Sequence, residues 1–248
     1  MLFRSTNLIG ETFVFYRNDG MGGFEDQRVQ TGLSQPTAMM TGFGTEWLDA
    51  DNDGVSDLIL VNGAVNLIPA LRGTPNPFRQ RNQLMRGVWG TDGAPGRPFS
   101  SSFRLEEILG DAAGPAFAPL DVSRGLAIGD LDNDGFPDAV ISNNAGPARV
   151  LRNTAATGHQ WIGLDLRHPA PNGAAIGATV TVSPGPSSGR LYRVRTDGSY
   201  LSASDPRILV GLGSHRGPVT AAVTWPDGTT QRFEGLEPGR YHRVTRDQ

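Results

Sequence analysis

Apolar residues in this chain gather in short runs that end quickly at glycine, proline, asparagine or aspartate. Phe13-Val-Phe-Tyr16, Leu58-Ile-Leu-Val61 and Ala139-Val-Ile141 are continuous and β-branched or aromatic, too short for ordinary helices and suited to buried strands. Further along, Trp161–Leu166, Ala178–Val182, Arg190–Arg195, Arg207–Val210, Val219–Trp225 and Thr230–Phe233 alternate apolar with polar, the period of a half-buried strand. Asn172-Gly173, Asp197-Gly198 and Asp227-Gly228 mark turns between them. The pattern predicts an all-β protein in two parts, residues 1–155 and 156–248.

Composition sharpens this picture. Glycine (33) and proline (18) together make about one residue in five of 248, which suits a turn-rich β protein and falls short of low-complexity disorder. With no cysteine, there is no disulfide framework, thiolate zinc site or cysteine nucleophile. Every basic residue is arginine, which excludes a lysine Schiff base and a P-loop lysine. A net charge of −3 argues against nucleic acid as a partner. No apolar run approaches the roughly 18 residues of a membrane span, and the first residues lack the apolar core of a secretory signal.

The aspartates are concentrated. Eight of 18 fall in two nine-residue windows, Asp49–Asp57 and Asp130–Asp138, both spelling DxDxDGxxD and set 81 residues apart. Four carboxylates so close repel one another unless a cation lies among them. Calcium takes 6–8 hard oxygen ligands, and acceptors at alternate loop positions converge on one centre. The expected ligands are Asp49, Asp51, Asp53, the Val55 carbonyl and Asp57 in the first loop, and Asp130, Asp132, Asp134, the Phe136 carbonyl and Asp138 in the second, giving two Ca2+ sites. Gly54 and Gly135 supply the sharp turn. Magnesium fits less well because it keeps its waters. An EF-hand would need glutamate at position 12, where Leu60 and Ile141 stand. The bland reading is an Asx-rich turn between strands, which a matched second copy disfavours.

The surroundings of the loops repeat as well. Phe43–Trp47 precedes the first loop and Gly125–Gly129 the second; Asn82–Arg86 and Ala148–Arg152 follow them, and Phe13–Gly20 offers a third copy. Leu2–Asn7 looks like a strand that follows such a loop, as though the repeat had been cut through. Several short strands per unit are the signature of propeller blades. A spacing of 81 exceeds a blade of roughly 40–50 residues, so an insertion is expected near 72–103, reading as loop, with Glu106–Leu109 at most a helical turn.

These residues carry a family resemblance. The loops and their flanking strands resemble FG-GAP/VCBS repeats of integrin-α-type propellers, in the cartilage acidic protein-like family. Gly173–Val182, Gly198–Arg207, Gly211-Leu-Gly213 and Val223–Gly228 resemble the ASPIC/UnbV domain that follows those repeats. The resemblance implies a partial β-propeller of about two blades and a remnant, followed by a small β-sandwich-like domain. It also implies an exported, calcium-binding, non-catalytic adhesion or recognition module, extracellular or periplasmic, with a protein or glycan ligand. The family propeller has about seven blades, so this chain resembles an N-terminally truncated form. Open blade ends expose strand edges that invite companion blades or self-association.

The search for an enzyme finds little. His159, His168, His215 and His242 are scattered without zinc spacing. Gly211–Gly217 misplaces the third glycine of a dinucleotide loop, and there is no GxSxG. Trp47, Trp89, Trp161 and Trp225 are expected as strand aromatics rather than a sugar platform. No catalytic residues are expected. The alternatives are a carbohydrate-binding or carbohydrate-active protein whose acids lie outside the calcium loops, or a fragment without autonomous function. At millimolar calcium each loop would add roughly 0.5–2 kcal/mol.

Overall fold

The computed structural model describes residues 2–67, 71–89, 103–185 and 188–246. The chain is all-β, with 19 strands, one four-residue α-helix, Ser34–Thr37, and the short 3-10 helices Gly110–Ala112 and Pro115–Phe117 among the described residues. Strands β1 (Leu2–Ser5), β2 (Val14–Asn18) and β3 (Phe24–Asp26) form an antiparallel meander. After the helix come β4 (Gly42–Leu48), β5 (Asp57–Asn62), β6 (Gln80–Arg81), β7 (Gln83–Trp89) and β8 (Phe103–Ile108). The four-stranded sheet runs β4-β5-β7-β8, all neighbours antiparallel. Strand β9 (Leu120–Asp121) pairs with β6, and β10 (Ser123–Gly129), β11 (Asp138–Asn143) and β12 (Arg149–Leu151) make a third meander. In each repeat the acidic loop closes a hairpin whose last pair is equivalent, Leu48 with Asp57 and Gly129 with Asp138.

Burial follows the sequence pattern. All of β5 is buried, as its unbroken apolar run requires. Leu58 and Leu60 face Phe13, Phe15, Met85 and Phe103 on one side, while Ile59 and Val61 face Leu126 and Ile141 on the other, so one strand joins two cores.

The C-terminal part is a sandwich. Strands β13 (Gln160–Arg167), β14 (Thr179–Gly185), β15 (Ser188–Arg193), β16 (Ile208–Gly213), β17 (Val219–Thr224), β18 (Thr230–Leu236) and β19 (Tyr241–Thr245) divide into sheets β16-β13-β19 and β15-β14-β17-β18. Ile162, Leu164, Ile208, Val210 and Val244 of the first sheet meet Val180, Val182, Ala221 and Val223 of the second, with Trp225 in the same core.

Two expectations change. The stretch 72–103 is not all loop: Gln83–Trp89 is a central strand between β5 and β8, while residues 90–102 of the expected insertion lie outside the described residues. Glu106–Ile108 is strand, not a helical turn, because Phe103 and Leu105 alternate inward against outward Arg104 and Glu106.

Candidate metal centres

Each acidic loop is built by the same set of hydrogen bonds. The position-1 carboxylate accepts from the position-6 amide: Gly54 N–H to Asp49 Oδ2 and Gly135 N–H to Asp130 Oδ2, both 2.9 Å. The position-9 carboxylate accepts from position 2, at 2.8 Å from Ala50 to Asp57 and 2.9 Å from Leu131 to Asp138. Its other oxygen accepts from Gly87 N–H of β7, to Asp57 at 2.8 Å, or from Asn153 N–H just after β12, to Asp138 at 2.7 Å. Asn52 and Asn133 occupy the left-handed region at φ 58° and 61°, which asparagine tolerates. Backbone donors thus hold one side of each carboxylate and leave the remaining lone pairs toward a common centre.

At that centre Asp49, Asp51 and Asp57 each bring an oxygen within 4.8 Å of the others, and Asp130, Asp132 and Asp138 do the same. Of the ten expected ligands, these six are brought together. Asp53 and Asp134 stand outside both groups, and their Oδ1 atoms accept the Val55 and Phe136 amides at 2.6 and 2.9 Å. Those two amide bonds fold the chain at positions 5 to 7, where Val55 and Phe136 were expected to offer carbonyls.

The electrostatics show strain that a cation would relieve. Burial, then the charges of Asp53 and Asp57, pushes the Asp49 carboxyl up to about 8. Burial likewise pushes Asp57 up to about 7 and raises Asp53 and Asp134. Asp49 Oδ1 is buried without a hydrogen-bond partner. An all-oxygen donor set with an orphaned buried carboxylate oxygen fits a hard divalent cation such as Ca2+. A cavity of about 190 Å³ lies beside both loops, walled in part by Asp49, Asn52, Asp130 and Tyr241.

Several site-bordering residues escape the sequence pattern. Arg86 reaches Asp51 at 3.1 Å and Asp53 at 3.9 Å, while its counterpart Arg152 reaches Asp132 at 2.6 Å and Asp134 at 3.8 Å. Arg86 lies within β7 and Arg152 directly follows β12; the repeat aligns the two segments in sequence, but nothing in it shows that their guanidinium groups return to the acidic loops. His159, one of four scattered histidines, bonds the Asp51 carbonyl at 2.8 Å through Nδ1. The two loops also touch: Asn52 Nδ2 donates to the Gly135 carbonyl at 2.9 Å.

The sandwich presses on both loops. The Trp161 ring lies over Gly135, where an added Cβ would fall 1.9 Å from the indole. Gly211 packs so tightly on the first loop that its Cβ would fall 2.1 Å from Asp49 Oδ2. That second glycine sits in one of the segments singled out in sequence.

Residues 168–248 match the family model described as ASPIC and UnbV. The match takes in every segment on which that part of the resemblance rests, from Gly173 to Gly228, and β14 to β19 of the sandwich. Strand β13 precedes it and completes the ASPIC/UnbV unit's first sheet. No curated protein matches the chain. Among the described residues no helix is long and apolar enough to cross a membrane.

Proposed function

We propose that this chain is a non-catalytic calcium-binding repeat protein that serves as an adhesion or recognition module in an extracellular or periplasmic setting. One observation carries the reading: the same cage of backbone donors and three convergent carboxylates is built twice, and in the first copy a buried carboxylate oxygen has no partner. A turn motif kept only for its propensity would not need three carboxylates within 4.8 Å of one another in both copies. Calcium would be held by Asp49, Asp51 and Asp57 in one loop and by Asp130, Asp132 and Asp138 in the other, neutralising the clustered charge and locking the hairpin each loop closes. Repeated antiparallel meanders with a loop at the same corner support the FG-GAP/VCBS reading of residues 1–155 as partial propeller blades, and the ASPIC/UnbV match is consistent with it. Calcium modules of the extracellular kind bind at about 10⁻⁴–10⁻³ M and stand largely empty at cytosolic levels, which favours an exported setting. The partner would be a protein or glycan reached through the exposed loops.

The test is thermal unfolding with calcium and with chelator. Millimolar Ca2+ raises the melting temperature of the wild type by several degrees, and Asp51→Ala with Asp132→Ala abolishes the shift. A shift retained in the double variant overturns the ligand assignment. Turnover of glycans that disappears on replacing carboxylates outside both loops would instead make the protein a carbohydrate-active enzyme.

A further inference from the structure

The ASPIC/UnbV unit and the segment leading into it grip the loops themselves. On the second loop Tyr241 Oη donates to Asp130 Oδ2 at 2.9 Å, and Arg207 donates to the Asp130 carbonyl at 2.7 Å and to Asn133 Oδ1 at 2.6 Å. On the first, Gly213 N–H donates to the Asn52 carbonyl at 2.8 Å, and the Arg190 guanidinium donates to the Gly54 carbonyl. Thr157 Oγ1 and His159 Nδ1 both meet the Asp51 carbonyl, at 2.9 and 2.8 Å. Donors from one unit therefore read the collapsed shape of both loops of the other.

We propose that the ASPIC/UnbV unit forms the outer shell of both cation sites, so that calcium binding and docking of this unit on the repeat sheets are one linked equilibrium. The proposal rests on the calcium reading above. Without a cation, the crowded carboxylates loosen the loop and the carbonyls that the unit grips. With one, the loop closes into the shape those donors fit. Tyr241 is a positioning residue: its hydroxyl occupies one oxygen of Asp130 and fixes the orientation in which the other faces the cation, and outer-shell partners of this kind change metal affinity by about 10–100-fold. Linkage then makes the effect reciprocal, since whatever factor docking adds to calcium affinity, calcium adds to docking. Contacts that do not touch the loops, such as Asp205 N–H to the Ile128 carbonyl at 2.9 Å, report the docked state without taking part in the cation site.

Amide hydrogen exchange on the full chain, with Ca2+ and with chelator, tests this together with calcium titrations. The Gly213 and Asp205 amides are expected to gain about 5- to 150-fold protection on calcium addition. Tyr241→Phe keeps the ring against Trp161 and Gly163 but removes the hydroxyl, and is expected to weaken the 130–138 site about tenfold while sparing the 49–57 site. Arg207→Gln gives a second, independent reading of the same site in the same direction. If the wild type binds two Ca2+ yet neither amide changes and both variants bind as the wild type does, the coupling is wrong and the calcium reading stands. If the wild type binds no Ca2+, the calcium reading itself fails and the coupling falls with it.

Discussion

Asn52 donates its side-chain amide to the backbone carbonyl of Gly135 across 2.9 Å, tying the first acidic loop to the second although they lie 83 residues apart. Asn52 is fully buried and left-handed at φ 58°. Asn52→Ala strands the buried carbonyl and puts a Cβ residue without a local hydrogen bond into that region, so a loss of about 2–3 kcal/mol is expected. Asn52→Gly removes the bond but relieves the backbone and loses less. Denaturant unfolding of the two variants measures both.

Gly135 and Gly228 both have positive φ, 90° and 85°, but only Gly135 faces a ring. Gly135→Ala must move Trp161, which adds about 1–3 kcal/mol of overpacking to the strain of the left-handed backbone, whereas Gly228→Ala meets open space and costs the strain alone. Unfolding free energies of the pair isolate the packing of the sandwich on the second loop, and only Gly135→Ala shifts tryptophan emission.

Acidity gives a third expectation. In the calcium-free protein Asp49 is pushed up to about 8 and Asp57 to about 7, while the unfolded chain titrates them near 4. Between about pH 4 and 8 the folded state holds protons that the unfolded state has released. Their stabilising contribution is complete below pH 4 and is lost as pH rises through 7 and 8. Asp26 and Asp227, held low by Arg28 and by Thr229, act oppositely, but only at the acid end. The melting temperature in chelator should therefore fall from pH 5.5 to 8.5, and the calcium-induced rise should grow over the same interval as the cation displaces those protons. Scanning fluorimetry at three pH values checks it.

Glu46 joins the repeats to the sandwich. Buried in β4, it accepts from Arg4 at 3.1 Å and from Arg195 at 2.9 Å, and Arg4 also donates to the Gly198 carbonyl. Glu46→Leu leaves the largely buried Arg4 without its counter-charge and is expected to cost about 3 kcal/mol, the lower part of the range because Arg4 keeps its carbonyl acceptors and Arg195 is 40% exposed and can turn to water. Arg195→Met alone costs less, since Arg4 still neutralises Glu46. Chemical denaturation of both variants decides it.

The hydropathy pattern carried β14 and β17, which bury one clean face, and β5 and β11, whose unbroken apolar runs mark buried strands; nine consecutive positions spell each acidic loop, although only six of the ten expected ligands converge. Strand β19 escaped because Tyr-His-Arg-Val-Thr sends only Val244 into the core and owes its place to parallel pairing with β13, a contact no local period encodes. The adjacent glutamates of β8 hid an alternation that Phe103 and Leu105 satisfy. The partners of the loops, Tyr241, Arg207, Arg190 and His159, were invisible for a deeper reason. They come from far along the chain and act through single donors, and a lone tyrosine or arginine on an edge strand carries no sign of what it will meet.

Equilibrium dialysis of chelator-stripped protein against Ca2+ shows whether the two acidic hairpins hold a divalent cation, as proposed. Two Ca2+ per chain with half-saturation near 10⁻⁴–10⁻³ M, little competition from equimolar Mg2+, one Ca2+ in Asp49→Asn and none when Asp130→Asn is added are expected. No bound calcium at about 10 mM, or undiminished binding in the double variant, would contradict the proposal.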